Sequence, residues 1–504
     1  MPTARWNRPR RRTSGSPTGS CSSPTRADAI PAPPTSQARL GFGTKFFYGF
    51  GSVAYGVKDN GFAFFLLLYY NQVLGLPARM ASLAIFIALL VDAVSDPVVG
   101  NLSDRLHSRL GRRHPFMYAS ALPVALAFYL LWNPPPLAER GLFLYLLGMA
   151  ITVRTLITFY EVPSSALAPE LTADYDERTT LASARHFFGW AGGILVSMLA
   201  YLFLLVPSPE YPVGQLNPRG YETYGALAAA MMALAILLSA AGTHRNIPDL
   251  KAPPPRRRMS LVSSLRELRQ TLASRSFFAL FGFGIFAAMA GGLVGAMSIY
   301  LNTFFWELRN DQIGLLVPSG FLSAAFALPA TPWLAARTGK KAAAIGLSVV
   351  ALLLSPVPYA ARLLGWMPDN GTTELLGLLI LYNIVEVALL IMSTTLVSAM
   401  MADVVEETEL ATGRRSEGVL FAARSFVGKS LSGLGVVTAT ALLTMIGFPD
   451  GAQPGALDAA VVRNLGLVYA PTLMILYGLA ILALSAYTIT RSRHAANLAA
   501  LRER

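Results

Sequence analysis

DAVSDPVVGNLSDRLHSRLGRR, residues 92–113, lies between two apolar runs, ASLAIFIALLV (81–91) and HPFMYASALPVALAFYLLW (114–132). Asp92 and Asp96 therefore lie within or close to a hydrophobic span, and their spacing of four residues places both on one face of a helix. A charge in hydrocarbon costs about 2.5–3.5 kcal/mol on insertion scales, and two carboxylates repel unless a cation or a basic side chain compensates them. The pattern predicts a buried anionic site that handles an ion.

The composition is that of a polytopic membrane protein. Of 504 residues, 54% are hydrophobic and only 14% are charged, whereas soluble proteins carry about 25% charge. The net charge of +13 comes from basic residues in the loops and tails between apolar runs, so it indicates the lipid bilayer and not nucleic acid as the partner. Cys21 is the single cysteine, which excludes an intrachain disulfide.

Apolar runs of about 20 residues predict an all-α fold with about twelve transmembrane helices. They fall into two sets of six. The predicted spans are 46–74, 79–102, 114–133, 141–166, 181–206, 222–243, 276–305, 311–335, 341–363, 373–401, 416–447 and 465–489.

The polar segments between these runs predict the domain organisation. Most Lys and Arg residues lie on the side that holds both termini, which places both termini in the cytoplasm. Residues 1–44 are rich in Arg, Ser and Pro and are expected to form a disordered tail. Residues 45–243 and 276–490 are expected to form two six-helix bundles joined by a cytoplasmic linker, 244–275, and residues 491–504 a cytoplasmic tail.

A weak internal repeat relates the two halves. SDRLHSRLGRRHPF follows the second predicted span, and AARTGKKAAAI follows the eighth, its counterpart. Two repeated six-helix halves with a site between them are typical of secondary transporters.

Further ionisable residues lie inside the predicted spans. Lys58 and Asp59 are adjacent in the first span, where they could form an ion pair or project into a polar cavity. In the fourth span, Arg154, Thr158 and Glu161 are spaced by four and three residues, so one helix face presents a base, a hydroxyl and an acid. A structural Arg154–Glu161 ion pair is the alternative.

The remaining candidates are spread over three other spans. Arg185 lies near the cytoplasmic end of the fifth span and could bind a helix end or a carboxylate in a cavity. Glu386 stands alone in the tenth span. Lys429 lies among small residues of the eleventh span and is a candidate counter-charge. Tyr55 is a candidate for ligand stacking, although most aromatic residues in such chains belong to the core or the interface.

Four segments together resemble the glycoside–pentoside–hexuronide:cation symporters of the major facilitator superfamily, which include the melibiose permeases. These segments are YGFG…KDNG, DAVSDPVVGNLSDRLHSRLGRRHPF, YEVPSSALAPELTADYDERTTLASARHFF and ADVVEETELATGRRSEGVLFAARSFVGK. The resemblance implies symport of a small polar solute, a sugar, glycoside or uronate, with Na⁺, Li⁺ or H⁺ across the plasma (inner) membrane. It implies no cofactor, no structural metal and a monomeric protein.

The resemblance also implies roles for individual residues. Asp92, Ser95, Asp96 and Thr158 correspond to the cation-binding positions. The solute positions correspond to Lys58, Asp59, Glu161, Arg185 and Lys429, and Arg154, Tyr55 and Glu386 are accessory candidates. We expect the loop residues Asp104, Arg105, Arg109, Arg112 and Arg113 to control which way the two halves open.

Four positions depart from the melibiose-permease pattern. One is Ser165, which stands where melibiose permeases have an aromatic residue, so the pattern for galactoside stacking is not met. Ser95 stands where sodium-using members often have Asn, and Glu161 replaces an Asp. Arg154 is an added charge, which would favour an acidic sugar or pair with a carboxylate.

Two other functions remain open. A lysolipid-transporting branch resembles this family too, but it would need an apolar cavity or lateral groove. A non-transporting receptor of the same fold would not need the carboxylate pair. An enzyme is not expected, because the sequence has no nucleotide-binding loop, metal-ligand cluster or nucleophile–base set.

Overall fold

Long apolar segments, each followed by a polar loop, fold into helices along the chain. The computed structural model describes residues 40–106, 108–172, 174–250, 274–412, 417–490, 493–494, 496–497 and 500. Most of the predicted N-terminal tail (1–39) and of the predicted linker (251–273) lies outside the described residues. Within the described ranges, the secondary structure is helical and no strand is found.

The described residues of the first half form eight α-helices. They are α1 (Phe42–Phe50), α2 (Val53–Asn60), α3 (Leu66–Leu68), α4 (Ala78–Arg105), α5 (His114–Leu131), α6 (Glu139–Leu171), α7 (Tyr175–Leu199) and α8 (Pro218–His244). Helices α1–α3 form the first span together with two π-helical turns, Gly61–Phe65 and Tyr69–Val73. A third π-helical turn, Ala200–Leu204, extends α7.

The second half contains eight more in the part that is described. They are α9 (Arg275–Tyr300), α10 (Asn310–Leu316), α11 (Ser319–Thr338), α12 (Lys340–Leu354), α13 (Val357–Leu363), α14 (Thr373–Thr412), α15 (Glu417–Met445) and α16 (Ala459–Ser485). A π-helical turn, Leu301–Phe305, extends α9, while α10 with α11 and α12 with α13 form single spans.

The predicted membrane fold is confirmed. Eleven helical segments of the described chain are long and apolar enough to cross a bilayer, and the interrupted first span, residues 42–73, makes the twelfth. The chain is therefore an all-α, multi-pass integral membrane protein. The cytoplasmic location of both termini, the opposite outer face and the domain boundaries stay predictions.

Helix α4 lies where the two halves meet. It packs on α6 of its own half and on α15 of the other half. Helix α15 also packs closely on α9, because a Cβ at Gly292 would lie 2.0 Å from Ser432 O and one at Gly435 would lie 2.1 Å from Met289 O. Small residues allow such backbone contact between transmembrane helices, and this contact holds α15 against the interface.

Candidate functional site

The carboxylates of Asp92 and Asp96 project from one face of α4 towards α6, as their spacing predicts. Thr158 Oγ1 lies 3.2 Å from Asp92 Oδ1 and 3.1 Å from Asp96 Oδ1. It also lies 2.9 Å from Arg154 O, so its single hydroxyl proton is shared among three acceptors. The arrangement joins the two acids through one hydroxyl.

Arg154 is the base that binds Asp92. Its Nη1 donates to Asp92 Oδ2 at 2.9 Å, and both side chains are buried, with 7% and 1% exposed. The guanidinium lies over the ring of Phe62, 4.6 Å from its centroid, which is a cation–π contact. The alternative pairing of Arg154 with Glu161 is not the one that the structure contains.

Lys429 reaches the same acids from the other half of the protein. Its Nζ lies 2.5 Å from Asp96 Oδ2 and 3.4 Å from Asp92 Oδ2. Because α15 belongs to the second half, this lysine carries a charged contact across the interface. We define Asp92, Asp96, Arg154, Thr158 and Lys429 as the central cluster, in which two acids face two bases.

A cavity of about 280 Å³ adjoins the central cluster. Lys58, Asp59, Glu161, Arg154 and Lys429 supply its charged lining, and its other walls are Phe62, Ala63, Ile85, Leu89, Gly291, Gly292, Gly428, Ser432 and Val436. Lys58 Nζ binds Asp59 Oδ1 at 2.7 Å, with the lysine buried and the aspartate 56% exposed. Among the described residues, no hydrogen bond or ion pair occupies the Glu161 carboxylate. The cavity thus offers both donors and acceptors to a small polar molecule.

Four predicted site residues lie outside both this lining and the central cluster. Ser95 Oγ donates to Asp92 O at 3.0 Å, within its own helix. Arg185 Nη1 donates to Ser164 Oγ at 2.9 Å, and Tyr55 Oη donates to Arg185 O at 2.9 Å. Glu386 lies on α14 beside Tyr382.

The loop between α4 and α5 is tied to α6. Arg113 Nε and Arg112 Nη2 both bind Glu170 Oε1, at 3.0 and 2.9 Å. Arg113 also donates from Nη1 to Ser103 Oγ and from Nη2 to Asp104 Oδ1, each at 2.6 Å. Both Arg113 and Glu170 are buried, so this network fixes three helix ends of one half.

The two remaining loop candidates, Arg105 and Arg109, lie on the surface of this loop. Arg105 Nε donates to Asn101 Oδ1 at 3.2 Å, and Arg109 is exposed. The proposed control of opening by the loop stays a prediction.

Sequence reasoning missed Glu170, Phe62 and a further contact between the halves. At the predicted outer face, Asn71 Nδ2 donates to Asp450 Oδ1 at 2.7 Å and Tyr300 Oη donates to Asn71 Oδ1 at 2.8 Å. Gln72 Nε2 donates to Pro449 O at 3.3 Å, and Ala452 N donates to Gln72 Oε1 at 2.8 Å. We call these hydrogen bonds the outer layer. The adjacent amides of LYYNQVLG, at the end of an apolar span, were the available signal.

One group of side chains has the composition of a metal site. Ligand atoms of Asp403, Glu406 and His494 lie within 4.8 Å of one another. Lys340 Nζ already binds Asp403 Oδ1 at 2.6 Å, and His494 Nδ1 lies 3.1 Å from Glu406 Oε2. The lysine supplies the positive charge of this group.

The comparisons with known proteins agree with this fold. Residues 47–491 match the MFS/sugar transport protein family. The isoprimeverose transporter of Lactiplantibacillus pentosus is 23% identical, over 89% of this chain and 88% of that protein. The mouse sphingosine-1-phosphate transporter MFSD2B is 28% identical, over 88% of this chain and 89% of that protein.

Among solved structures, a D-xylose–proton symporter superposes with a TM-score of 0.58 at 15% identity, covering 90% of this chain and 98% of that one. This likeness concerns the fold. Family and fold together indicate a transporter and not an enzyme.

Proposed function

Since the chain belongs to the MFS/sugar transport protein family, we propose that it is a secondary active transporter for a sugar, glycoside or uronate. It moves this solute together with a coupling cation, Na⁺, Li⁺ or H⁺, by alternating access. The observation that carries the proposal is the central cluster beside the cavity, with Lys429 joining the two halves. Buried ionisable groups in a membrane protein are costly, so their concentration at one cavity favours a role in transport.

The cavity supports a small, hydroxyl-rich solute. Its volume of about 280 Å³ lies just below the usual range of ligand pockets, about 300–1,000 Å³. Lys58, Asp59, Glu161 and Lys429 would donate to or accept from solute hydroxyls. Arg185 donates to Ser164 on α6, a helix that lines the cavity, and would orient that helix. Relatives that carry sugars, such as the isoprimeverose transporter, support this solute class.

The outer layer supports alternating access. Its hydrogen bonds join the two halves at one end of the cavity, which is the arrangement that one of the two alternating states requires. Asp92, Asp96 and Thr158 are the proposed site of the coupling step. Lys429 of the second half binds Asp96, so a change in the charge of that site would alter the contact between the two halves.

An amphiphilic solute is the second candidate. Phe278, Ile285, Phe286, Leu479 and Leu482 line a largely apolar groove of about 690 Å³ beside α9 and α16, with Arg275 on its wall. Such a groove would suit an acyl chain, and the sphingosine-1-phosphate transporter is among the relatives. The charged lining of the central cavity favours the sugar class.

Uptake into proteoliposomes tests the proposal. Labelled monosaccharides, glycosides, uronates and a lysophospholipid are offered under imposed Na⁺, Li⁺ or H⁺ gradients. We expect at least one sugar-class solute to accumulate with the natural chain, and accumulation to be lost in Asp96→Asn. The exposed acid variant Asp311→Asn is the matched control and should accumulate normally.

Two results would contradict the proposal. Movement of the lysophospholipid alone would establish the second candidate. Equal accumulation by Asp96→Asn and the natural chain would show that the central cluster does not carry the coupling.

A further inference from the structure

Arg154 occupies the position that a free cation would need in the central cluster. We propose that its guanidinium is a built-in counter-ion of the Asp92–Asp96 pair, so that the chain binds neither Na⁺ nor Li⁺ there and transports its solute without them. The inference rests on the proposed function, because it concerns the cation partner of that transport site.

The charges of the central cluster are already balanced. Two neighbouring carboxylates repel and favour a positive charge between them. Arg154 Nη1 lies 2.9 Å from Asp92 Oδ2, and Lys429 Nζ lies 2.5 Å from Asp96 Oδ2. Two bases already compensate two acids, and Lys58 is paired with Asp59. A bound metal cation would be a third positive charge beside two negative ones.

A metal cation would also need free oxygen atoms as ligands in the central cluster. Hard cations require several oxygen ligands around them. Here the Oδ2 atoms of both acids are bound by bases, and the Ser95 hydroxyl is turned to the carbonyl of Asp92. The remaining side-chain oxygens are the two Oδ1 atoms and Thr158 Oγ1, which contacts both of them. The remaining acid of the cavity, Glu161, lies on its solute-lining wall.

Arg154 is fixed beside the acids within its own half of the protein, whereas Lys429 is not. Arg154 lies one helical turn before Thr158 on α6, so any rotation that brings the threonine to the acids brings the arginine too. Its side chain is 7% exposed and covers Phe62, and a guanidinium keeps its charge at any accessible pH. Lys429 is 24% exposed and belongs to the other half, so it is the base that can leave when the halves rock.

Binding of radioactive sodium to the purified protein tests the inference without any knowledge of the solute. We expect no saturable Na⁺ binding by the natural chain, and none by Arg154→Lys, which keeps the charge. Arg154→Gln should gain one Na⁺ per chain, and the double variant Arg154→Gln/Asp92→Asn should lose it again. If Arg154→Gln does not fold, the natural chain and Arg154→Lys still decide the question.

Transport gives a second readout once a solute is known. Replacement of Na⁺ by choline should change the uptake rate less than about twofold, whereas coupled ligands typically alter each other's affinity about 5- to 150-fold. Saturable Na⁺ binding by the natural chain that Asp96→Asn abolishes would overturn the inference and leave the transport proposal standing. Absence of uptake for every solute would overturn the transport proposal. The Na⁺-binding experiment would still test the role of Arg154, because it does not depend on uptake.

Discussion

The two halves of the protein touch at two levels that differ in chemistry. The outer layer consists of two amides, a tyrosine, backbone groups and one carboxylate, that of Asp450. Water can replace their hydrogen bonds when the halves separate. The central cluster consists of charged side chains near the midpoints of α4, α6 and α15. Each neutral hydrogen bond contributes little net free energy, because it replaces a hydrogen bond to water. A buried charge without its partner is costly.

This difference suggests a division of labour between the two levels. The outer layer can open and close at low cost, so it suits a reversible seal. The central cluster changes its energy strongly when one charge is added, removed or displaced, so it suits the step that senses a ligand. Substitutions in the central cluster should therefore have larger effects than substitutions in the outer layer.

The largest effect is expected for Asp92→Ala. The substitution leaves the buried guanidinium of Arg154 without its carboxylate, which should lower the free energy of unfolding by about 3–5 kcal/mol. Arg154→Ala should cost less, because Lys429 Nζ still lies 3.4 Å from Asp92 Oδ2. Thermal unfolding of the detergent-purified variants measures both.

The double variant Asp92→Ala/Arg154→Ala is the control for that prediction. It removes both charges together, so its loss of stability should be smaller than the sum of the two single losses. Strictly additive losses would mean that the two side chains do not stabilise one another.

Lys429→Ala should affect transport more than folding. Lys429 and Asp96 are about a quarter exposed, so the loss of their ion pair should cost up to about 1 kcal/mol of stability. Transport should fall by at least about fivefold, the lower bound of typical coupling between sites. Lys429→Arg keeps the charge and should retain part of the uptake; identical uptake by Lys429→Ala and the natural chain would remove Lys429 from the mechanism.

The sequence predicted the fold. It also predicted which residues meet in the central cluster on the side of Asp92 and Asp96. Apolar runs of sufficient length specify transmembrane helices directly. The spacing of Asp92 and Asp96 specifies a shared helix face, and the resemblance to known symporters brought Thr158 and Lys429 to that face. These features depend on local periodicity or on segments with a recognisable pattern, which a single sequence contains.

The partners chosen across helices were not predictable in the same way. Arg154 is seven residues from Glu161 on one helix and far from Asp92 in sequence, so periodicity alone leaves both pairings open. The rotation of α6 against α4 decides between them, and that rotation depends on packing over the whole bundle. The same reason hides the contact of Arg154 with Phe62 and the pairing of Asn71 with Asp450.

The outer layer should respond to single substitutions by opening, not by unfolding. Gln72→Ala removes both hydrogen bonds of Gln72 to the other half, worth about 0.5–1.5 kcal/mol each, and should shift the population towards the outward-open state roughly 2- to 10-fold per bond. Spin labels at Leu137→Cys and Gln453→Cys, in a Cys21→Ser background, would report a longer distance between the halves. An unchanged distance distribution would show that other contacts hold this face closed.

The smallest effect is expected for Arg309→Ala. Arg309 forms an ion pair of about the same length as the Arg154–Asp92 pair, but it is exposed. Arg309 Nη2 lies 2.7 Å from Asp311 Oδ2, yet the two side chains are 66% and 49% exposed, so water already solvates both charges. Arg309→Ala should therefore leave thermal unfolding and uptake unchanged within error. A loss comparable to that of Asp92→Ala would mean that distance, and not burial, determines what an ion pair contributes in this protein.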